Sequence, residues 1–254
     1  MSRMKVATFN VWNNNDTWAL RKEIIIHEIM RIDADIIALQ EVPNHEELES
    51  ILNQSLIEHY SFKSYPGDEE GLAVLSKYPI EEVMSENDVL NNCSMRVIVR
   101  TNGYTIGLTN VHLYWKSALE REKEIVEVVK WISESRNTDY EILCGDFNSK
   151  PNLSSIYHFL VGELSIQSYD TSWIDLAQSD RSPTLDFESN SWLLNRENLN
   201  HIRVHVRYDW ILLRSCYPKK EPKLLNIELF ANVVSPAQQV HPSDHYGVIV
   251  DLSL

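Results

Sequence analysis

Long apolar runs, cysteine and positive charge are all scarce in this 254-residue sequence. No apolar stretch approaches the ~20 residues that cross a bilayer. The opening Met1-Ser2-Arg3-Met4-Lys5 leads into a strand-like segment rather than a signal peptide, so the expected location is cytoplasmic. Cys93, Cys144 and Cys216 are odd in number, far apart and without metal-ligand spacing; buried thiols explain them better than a disulfide or a zinc site. Basic residues number 23 against 37 acidic, a net charge of −14, which opposes non-specific binding to a polyanion. Long nucleic acid is therefore not the favoured partner. No Pro, Gly or Ser-rich linker, internal repeat or low-complexity tract divides the chain, and 43% apolar residues suffice for a sizeable core, so one domain over residues 1–254 is expected.

What is present is a series of short apolar runs, each ending in polar residues. Ile142-Leu143-Cys144 reads as a buried strand, Gly145 lets the backbone turn, and Asp146 and Asn148 follow two apart, pointing the same way if the backbone stays extended. Strands are expected at 6–11 and 35–42, ending at Asn10 and Glu41, with a helix over 16–32 between them. A helix over 46–58 and strands at 60–65, 72–77 and 80–85 come next. Asn102-Gly103 marks a hairpin joining strands 95–101 and 104–112, and Ser117 with Glu120 makes a capping box for the following helix. Short helices are expected at 153–160 and 171–177, a long loop at 179–205, and closing strands at 208–213, 224–233 and 246–252. The number of subunits leaves no mark in this pattern.

Asn10, Glu41, His112, Asp146, Asn148, Asp209, Asp244 and His245 each fall at or near a predicted strand end, where α/β folds assemble their sites. Taken singly, most read as turn residues, caps or satisfied core groups. The segments Thr8-Phe9-Asn10, Leu39-Gln40-Glu41, Asn110-Val111-His112-Leu113, Gly145-Asp146-Phe147-Asn148, Tyr208-Asp209-Trp210-Ile211 and Ser243-Asp244-His245, in this order, resemble the endonuclease/exonuclease/phosphatase superfamily, the DNase I-like proteins.

The resemblance covers essentially the whole chain and implies an α/β fold: a four-layer sandwich of two mixed sheets packed face to face, with helices outside. It also implies a metal-dependent hydrolase of phosphate esters. Glu41 would be the principal metal ligand, with Asn10 and Asp244 beside it directly or through water. Oxygen ligands without a thiolate cluster suit Mg²⁺, or Mn²⁺, better than Zn²⁺. Asp146 would orient or deprotonate the attacking water, Asn148 would donate to a phosphate oxygen, and Asp209 would hold His245 so that it binds a phosphoryl oxygen. Water activation by Asp146 and by the His245 pair both stay open at this stage. His112 would add a second imidazole; it sets the chain apart from the apurinic-site endonuclease branch, as does Trp12, where that branch carries an acid.

Arg96 is the expected substrate-binding arginine, with Arg203 and Arg207 as weaker candidates, and Trp12, Trp115 and Trp192 could stack on a substrate edge. The substrate expected is a small or short phosphate mono- or diester: a nucleotide, oligonucleotide, phosphosugar or inositol, or lipid headgroup. The alternatives are a nuclease acting on DNA or RNA, and an inactive binding module on the same scaffold, which should have lost its metal ligand or histidines. A secreted sphingomyelinase-like or toxin nuclease would need a signal peptide and a disulfide pair.

Overall fold

In the computed structural model, residues 3–54, 57–101, 103–134, 138–178, 180, 182–194 and 205–254 are described. Twelve strands among them form two six-stranded sheets. The first contains β1 (Arg3–Asn10), β2 (Ile36–Val42), β3 (His59–Ser64), β4 (Gly71–Ser76), β11 (Lys223–Phe230) and β12 (Gly247–Ser253), in the order β11-β12-β1-β2-β4-β3. The second contains β5 (Ile80–Val83), β6 (Ser94–Arg100), β7 (Thr105–His112), β8 (Tyr140–Asp146), β9 (Ile174–Asp175) and β10 (Asp209–Ser215), in the order β5-β6-β7-β8-β10-β9. Each sheet has one parallel pair, β1 with β2 and β7 with β8.

Three apolar clusters lie between four layers. The central one joins the sheets through Val6, Ala38, Val97, Leu108, Ile142, Cys144, Ile211 and Val250. A second buries the apolar faces of α1 (Asn15–Ile32) and α2 (His45–Leu52) on Phe9, Ile37 and Leu39. The third packs α3 (Asp88–Cys93), α4 (Ala118–Glu134) and α5 (Ser155–Leu160) on Leu143 and Leu212. Side chains alternate across a strand, so β-runs such as Ile36 to Leu39 must be apolar at every position to serve both faces. This is the four-layer α/β sandwich.

Local chemistry sets the element ends. Asn14 caps α1 by accepting from the Thr17 N–H, Asn44 caps α2 through Glu47, and Ser117 Oγ accepts from the Glu120 N–H at 3.3 Å, as the capping-box reading requires. The hairpin strands pair antiparallel, from Ser94 opposite Val111 to Arg100 opposite Thr105. Residues 171–177 are not helical, contrary to expectation. Trp173 and Leu176 serve opposite faces of the second sheet, and Ile174–Asp175 pairs with Leu212 and Leu213, which makes this a short edge strand. The second helix stops at Leu52 rather than 58, and the short helix α3 was not expected. No helix among the described residues is long and apolar enough to cross a membrane.

Candidate active site

Period-two alternation explains why the strand-end residues meet. Along β1, Met4 and Val6 face the central layer, so Asn10 does too; along β8, Ile142 and Cys144 carry Asp146 to the same layer, and along β10, Ile211 and Leu213 carry Asp209. In register, His112 lies opposite Asp146 on the parallel neighbour β7, and Asp209 lies opposite Asp146 on the antiparallel neighbour β10. The ends of β1 and β2 face them from the other sheet. The site is therefore one open end of the layer between the sheets.

Glu41 reaches it by breaking alternation. Ile37 and Leu39 face the helices, so a regular strand would send Glu41 outward with them. The β2–β4 ladder instead shifts register between Leu39 and Val42, and Glu41 takes φ of 56°, a left-handed conformation that a side chain rarely adopts. Gly145 solves a different problem. At its φ of 135°, an added Cβ would lie 1.9 Å from the Val111 carbonyl oxygen, so glycine is required one residue before Asp146.

The side chains converge on Oδ2 of Asp146. Asn10 Nδ2 donates to it at 3.2 Å and to Glu41 Oε1 at 2.9 Å, while the Asn10 oxygen accepts from the Trp12 N–H. The Nε2 atoms of His112 and His245 lie 3.9 and 3.7 Å from the same Asp146 oxygen, and His112 Nε2 is 3.7 Å from Glu41 Oε1. Asp209 Oδ2 is 2.9 Å from His245 Nδ1, and Tyr65 Oη is 3.1 Å from His112 Nδ1. Ser243 Oγ accepts from the His245 N–H and donates to the Asn10 carbonyl, which ties the loop before β12 to the end of β1. Asp244, 5% exposed, is within electrostatic reach of His245 and Arg21.

Charge at the site is unbalanced. Burial alone would lower the His245 pKa, but Asp209, Asp146 and Asp244 outweigh it and hold the imidazole well above its ordinary value. Burial likewise pushes the Tyr65 hydroxyl far up, with Glu70, Glu41 and Asp146 adding to it. Arg21 is fully buried beneath the carboxylates and turned from them, donating to the carbonyls of Val11, Trp12 and Pro242 at 2.8, 2.7 and 2.9 Å. Burial brings its pKa down to about 10 despite Asp244 and Glu41. Hard oxygen donors with this excess of negative charge fit a divalent cation. Asp146, Asp209 and His245 lie within 4.8 Å of one another and could themselves hold a metal. Glu41 accepts at Oε1 from Asn10 Nδ2 and at Oε2 from the Asn13 N–H, each at 2.9 Å, and each carboxylate oxygen has a second lone pair for a cation.

Six of the residues singled out by sequence are thus gathered directly: Asn10, Glu41, His112, Asp146, Asp209 and His245. Asn148 is at the edge and does not point as expected. The strand ends at Asp146, the Asn148 N–H turns back onto Asp146 Oδ1 at 2.8 Å, φ is 46°, and Nδ2 donates to the Leu113 carbonyl. Arg96 is not in the cleft. Its neighbour Val97 faces the central layer, so Arg96 points to the outer face of the second sheet, 1% exposed, in a two-bond ion pair with Glu141 at 2.7 and 2.9 Å. Substrate cannot reach a guanidinium held there, and the expectation for Arg96 is corrected. Arg207 is similarly committed to Asp175, and Arg203 is outside the described residues. The Trp12 and Trp192 rings meet at 5.3 Å with Arg21 4.6 Å over Trp12, whereas Trp115 is 66% exposed.

Sequence reasoning passed over four supporting residues. Tyr65 reaches His112 from a loop, and Arg21 reaches the site loops from inside a helix. Gln40 and Asn110 stand one step below the carboxylates, joined at 2.7 Å across the sheets, with Asn110 also donating to the Leu39 and Ala73 carbonyls. Only Gln40 and Asn110 had a sequence signal, two polar residues on the inward face of otherwise apolar strands.

The family model described as Endonuclease/Exonuclease/phosphatase family matches residues 7–245. Among curated proteins, the chain is 27% identical to Carbon catabolite repressor protein 4 homolog 3 of Arabidopsis thaliana over 68% of its length. It is 26% identical to 2′,5′-phosphodiesterase 12 of Homo sapiens over 91%. The matches span 42% and 45% of those two proteins, less than half of each. Among solved structures, D. rerio TDP2 complexed with a single-strand DNA product superposes with a TM-score of 0.78 at 18% identity, covering all of both chains. The order of the strand-end motifs, the sandwich and the match over residues 7–245 agree: the chain belongs to the endonuclease/exonuclease/phosphatase family.

Proposed function

We propose that the protein is a Mg²⁺-dependent phosphoesterase that hydrolyses a mono- or diester bond of a small or short substrate. The observation that carries this reading is the convergence of Asn10 Nδ2 and the two imidazole Nε2 atoms within 4 Å of one Asp146 oxygen, beside Glu41. Glu41 would hold the ion with Asp244, and Asn10, whose amide N–H faces Glu41, would position that carboxylate. Mn²⁺ meets the same ligands. When bound, the cation neutralises charge on the phosphoryl group and polarises it toward attack.

Asp146 is the group placed to take the proton of the attacking water, because His245 is held in its charged form by the carboxylates around it. The Asp209-His245 pair then presents Nε2–H to a phosphoryl oxygen as charge develops there. Tyr65, kept neutral, donates to His112 Nδ1 and leaves Nε2–H of His112 for a second oxygen. Water adds to phosphorus as its proton passes to Asp146, the bond to the ester oxygen breaks, and the departing alkoxide takes a proton from solvent to leave as the alcohol. An inactive binding module is disfavoured, since the carboxylates and both histidines are present.

The substrate size follows from charge. Asp68 and Glu69 line the cavity beside Tyr65, and Glu70 is within electrostatic reach of Glu41 and His112, in a protein of net charge −14, an unfavourable path for a long polyanion. The nuclease reading has one observation in its favour, the likeness in fold to a structure holding a DNA product. A panel of phosphate esters assayed with Mg²⁺, with Mn²⁺ and with EDTA tests the reading. Turnover should need the cation and favour small or short esters, with a log–log salt slope of about 1 to 2, at roughly 0.7 to 0.9 per phosphate contacted. Efficient cutting of long duplex with a slope reporting roughly six or more contacts would establish the nuclease instead.

A further inference from the structure

A separate cavity opens on the far side of Asn148. It has a volume of about 440 Å³ and is lined chiefly by Arg121, Asn148, Ser149, Lys150, Ser154 and Tyr208. No carboxylate lines it, whereas the cavities beside Tyr65, at Thr138 and Cys216, at Pro151 and Asn152, and under Trp131 all include acids. In so acidic a protein, two cations facing one acid-free cavity make a local reversal of sign.

The cations are placed to act on a ligand. Arg121 is fixed through Nη1 by the carbonyls of Tyr114 and Trp115, at 3.0 and 3.1 Å. Lys150, half-buried, makes no ion pair among the described residues and lines both this cavity and the neighbouring one at Pro151 and Asn152. On α4, Glu122 accepts from Ser155 Oγ, and Glu124, within electrostatic reach of Arg121, accepts from the Tyr114 N–H at 2.8 Å; neither lines the cavity. Ser149 supplies an independent sign: 4% exposed, its Oγ is buried without a hydrogen-bond partner among the described residues, although it belongs to the cavity lining. A buried hydroxyl left so is costly unless a ligand or water completes it.

The cavity adjoins the catalytic cleft. Asn148 belongs to its wall and donates its backbone N–H to Asp146 at 2.8 Å. Tyr208 bridges the two sites: burial and Asp146 push its hydroxyl pKa up while Arg121 pulls it down.

We infer that this cavity is a second phosphate subsite, in which Arg121, Lys150 and Ser149 Oγ hold a phosphoryl group of the substrate other than the one being hydrolysed. The inference rests on the phosphoesterase reading for its biological sense and deepens it: the substrate carries at least two phosphates joined by a short spacer. That second group is either a terminal phosphate of a small molecule or the next diester of a short oligonucleotide. Arginine and lysine with a hydroxyl are the donors such an oxyanion requires.

Two measurements on the full chain decide it. In EDTA, where the carboxylate-rich cleft repels anions, inorganic phosphate should still bind by calorimetry. Lys150→Ala and Arg121→Ala should each weaken it about tenfold, as expected when one charge-assisted hydrogen bond is lost. Glu41→Gln should leave phosphate binding in place. Lys150 is half-buried in a loop and Ser149→Ala removes a single atom, so at least one variant keeps its fold. No phosphate binding, or binding that Lys150→Ala leaves intact, overturns the subsite.

With Mg²⁺, thymidine dinucleotide, the same dinucleotide bearing a terminal phosphate, and the trinucleotide should differ in kcat/KM. The second phosphate should raise it about tenfold, and Lys150→Ala should abolish that ratio. An advantage confined to the terminal phosphate identifies a small phosphorylated substrate; an equal advantage for the trinucleotide identifies an oligonucleotide. Failure to cleave any of the three counts against the phosphoesterase reading, while phosphate binding in EDTA still decides the subsite.

Discussion

Asp146→Asn should lower kcat on the best ester of the panel by about 10³-fold, with little change in KM, the range expected when a positioned general base is removed. The substitution keeps the shape and one acceptor oxygen, which can go on receiving the Asn148 N–H. At the other position an NH₂ replaces Oδ2, the atom that Asn10 Nδ2 approaches at 3.2 Å and both histidines approach within 4 Å. Two amide NH₂ groups would then face each other, and nothing would take the water proton. Steady-state kinetics with a thermal-melting control measures this, and a loss under about tenfold would remove Asp146 from that role.

The second large effect is one of coupling. Asp209 is fully buried, its Oδ2 lies 2.9 Å from His245 Nδ1, and the pair acts through the opposite nitrogen. Asp209→Asn leaves the imidazole without the carboxylate that holds its charge, and His245→Ala leaves the carboxylate without a target. Each should cost about 10³-fold in kcat/KM, and the double variant should be within about tenfold of the worse single one, because groups that function as a unit lose their effect together. Multiplication of the two losses would show that they act independently.

The architecture was legible where the chemistry is local and periodic. Short apolar runs located β1, β2, β8 and β10, and because the inward faces of β1, β8 and β10 share one layer, side-chain alternation puts Asn10, Asp146 and Asp209 in one cleft. Glu41 was found by its motif, but strict alternation would have turned it toward the helices; a bulge and a left-handed backbone bring it in, and neither leaves a mark in composition. Arg96 shows the opposite failure. An arginine in a strand reads as an anion ligand, and only pairing between distant strands reveals that Glu141 already occupies it. Tyr65 and Arg21 were invisible for the same reason, their partners being 47 and up to 221 positions away. Asn148 was misoriented because an Asx turn, not an extended strand, follows Asp146.

The central claim is that phosphate-ester hydrolysis here depends on a divalent cation held at Glu41. Mg²⁺ titrated into the wild-type protein and Glu41→Gln by calorimetry, with turnover followed on the same samples, tests it most directly. The substitution keeps an oxygen for Asn10 Nδ2 at Oε1, now 2.9 Å away, but sets an NH₂ against the Asn13 N–H that Oε2 accepts at 2.9 Å, so a thermal-melting control separates a loss of fold from the loss of charge. The expected result is Mg²⁺ affinity at least about tenfold weaker, equivalent to roughly 1.4 kcal/mol or more, with activity falling in step. Unchanged Mg²⁺ affinity in Glu41→Gln, or full wild-type turnover in EDTA, would contradict it.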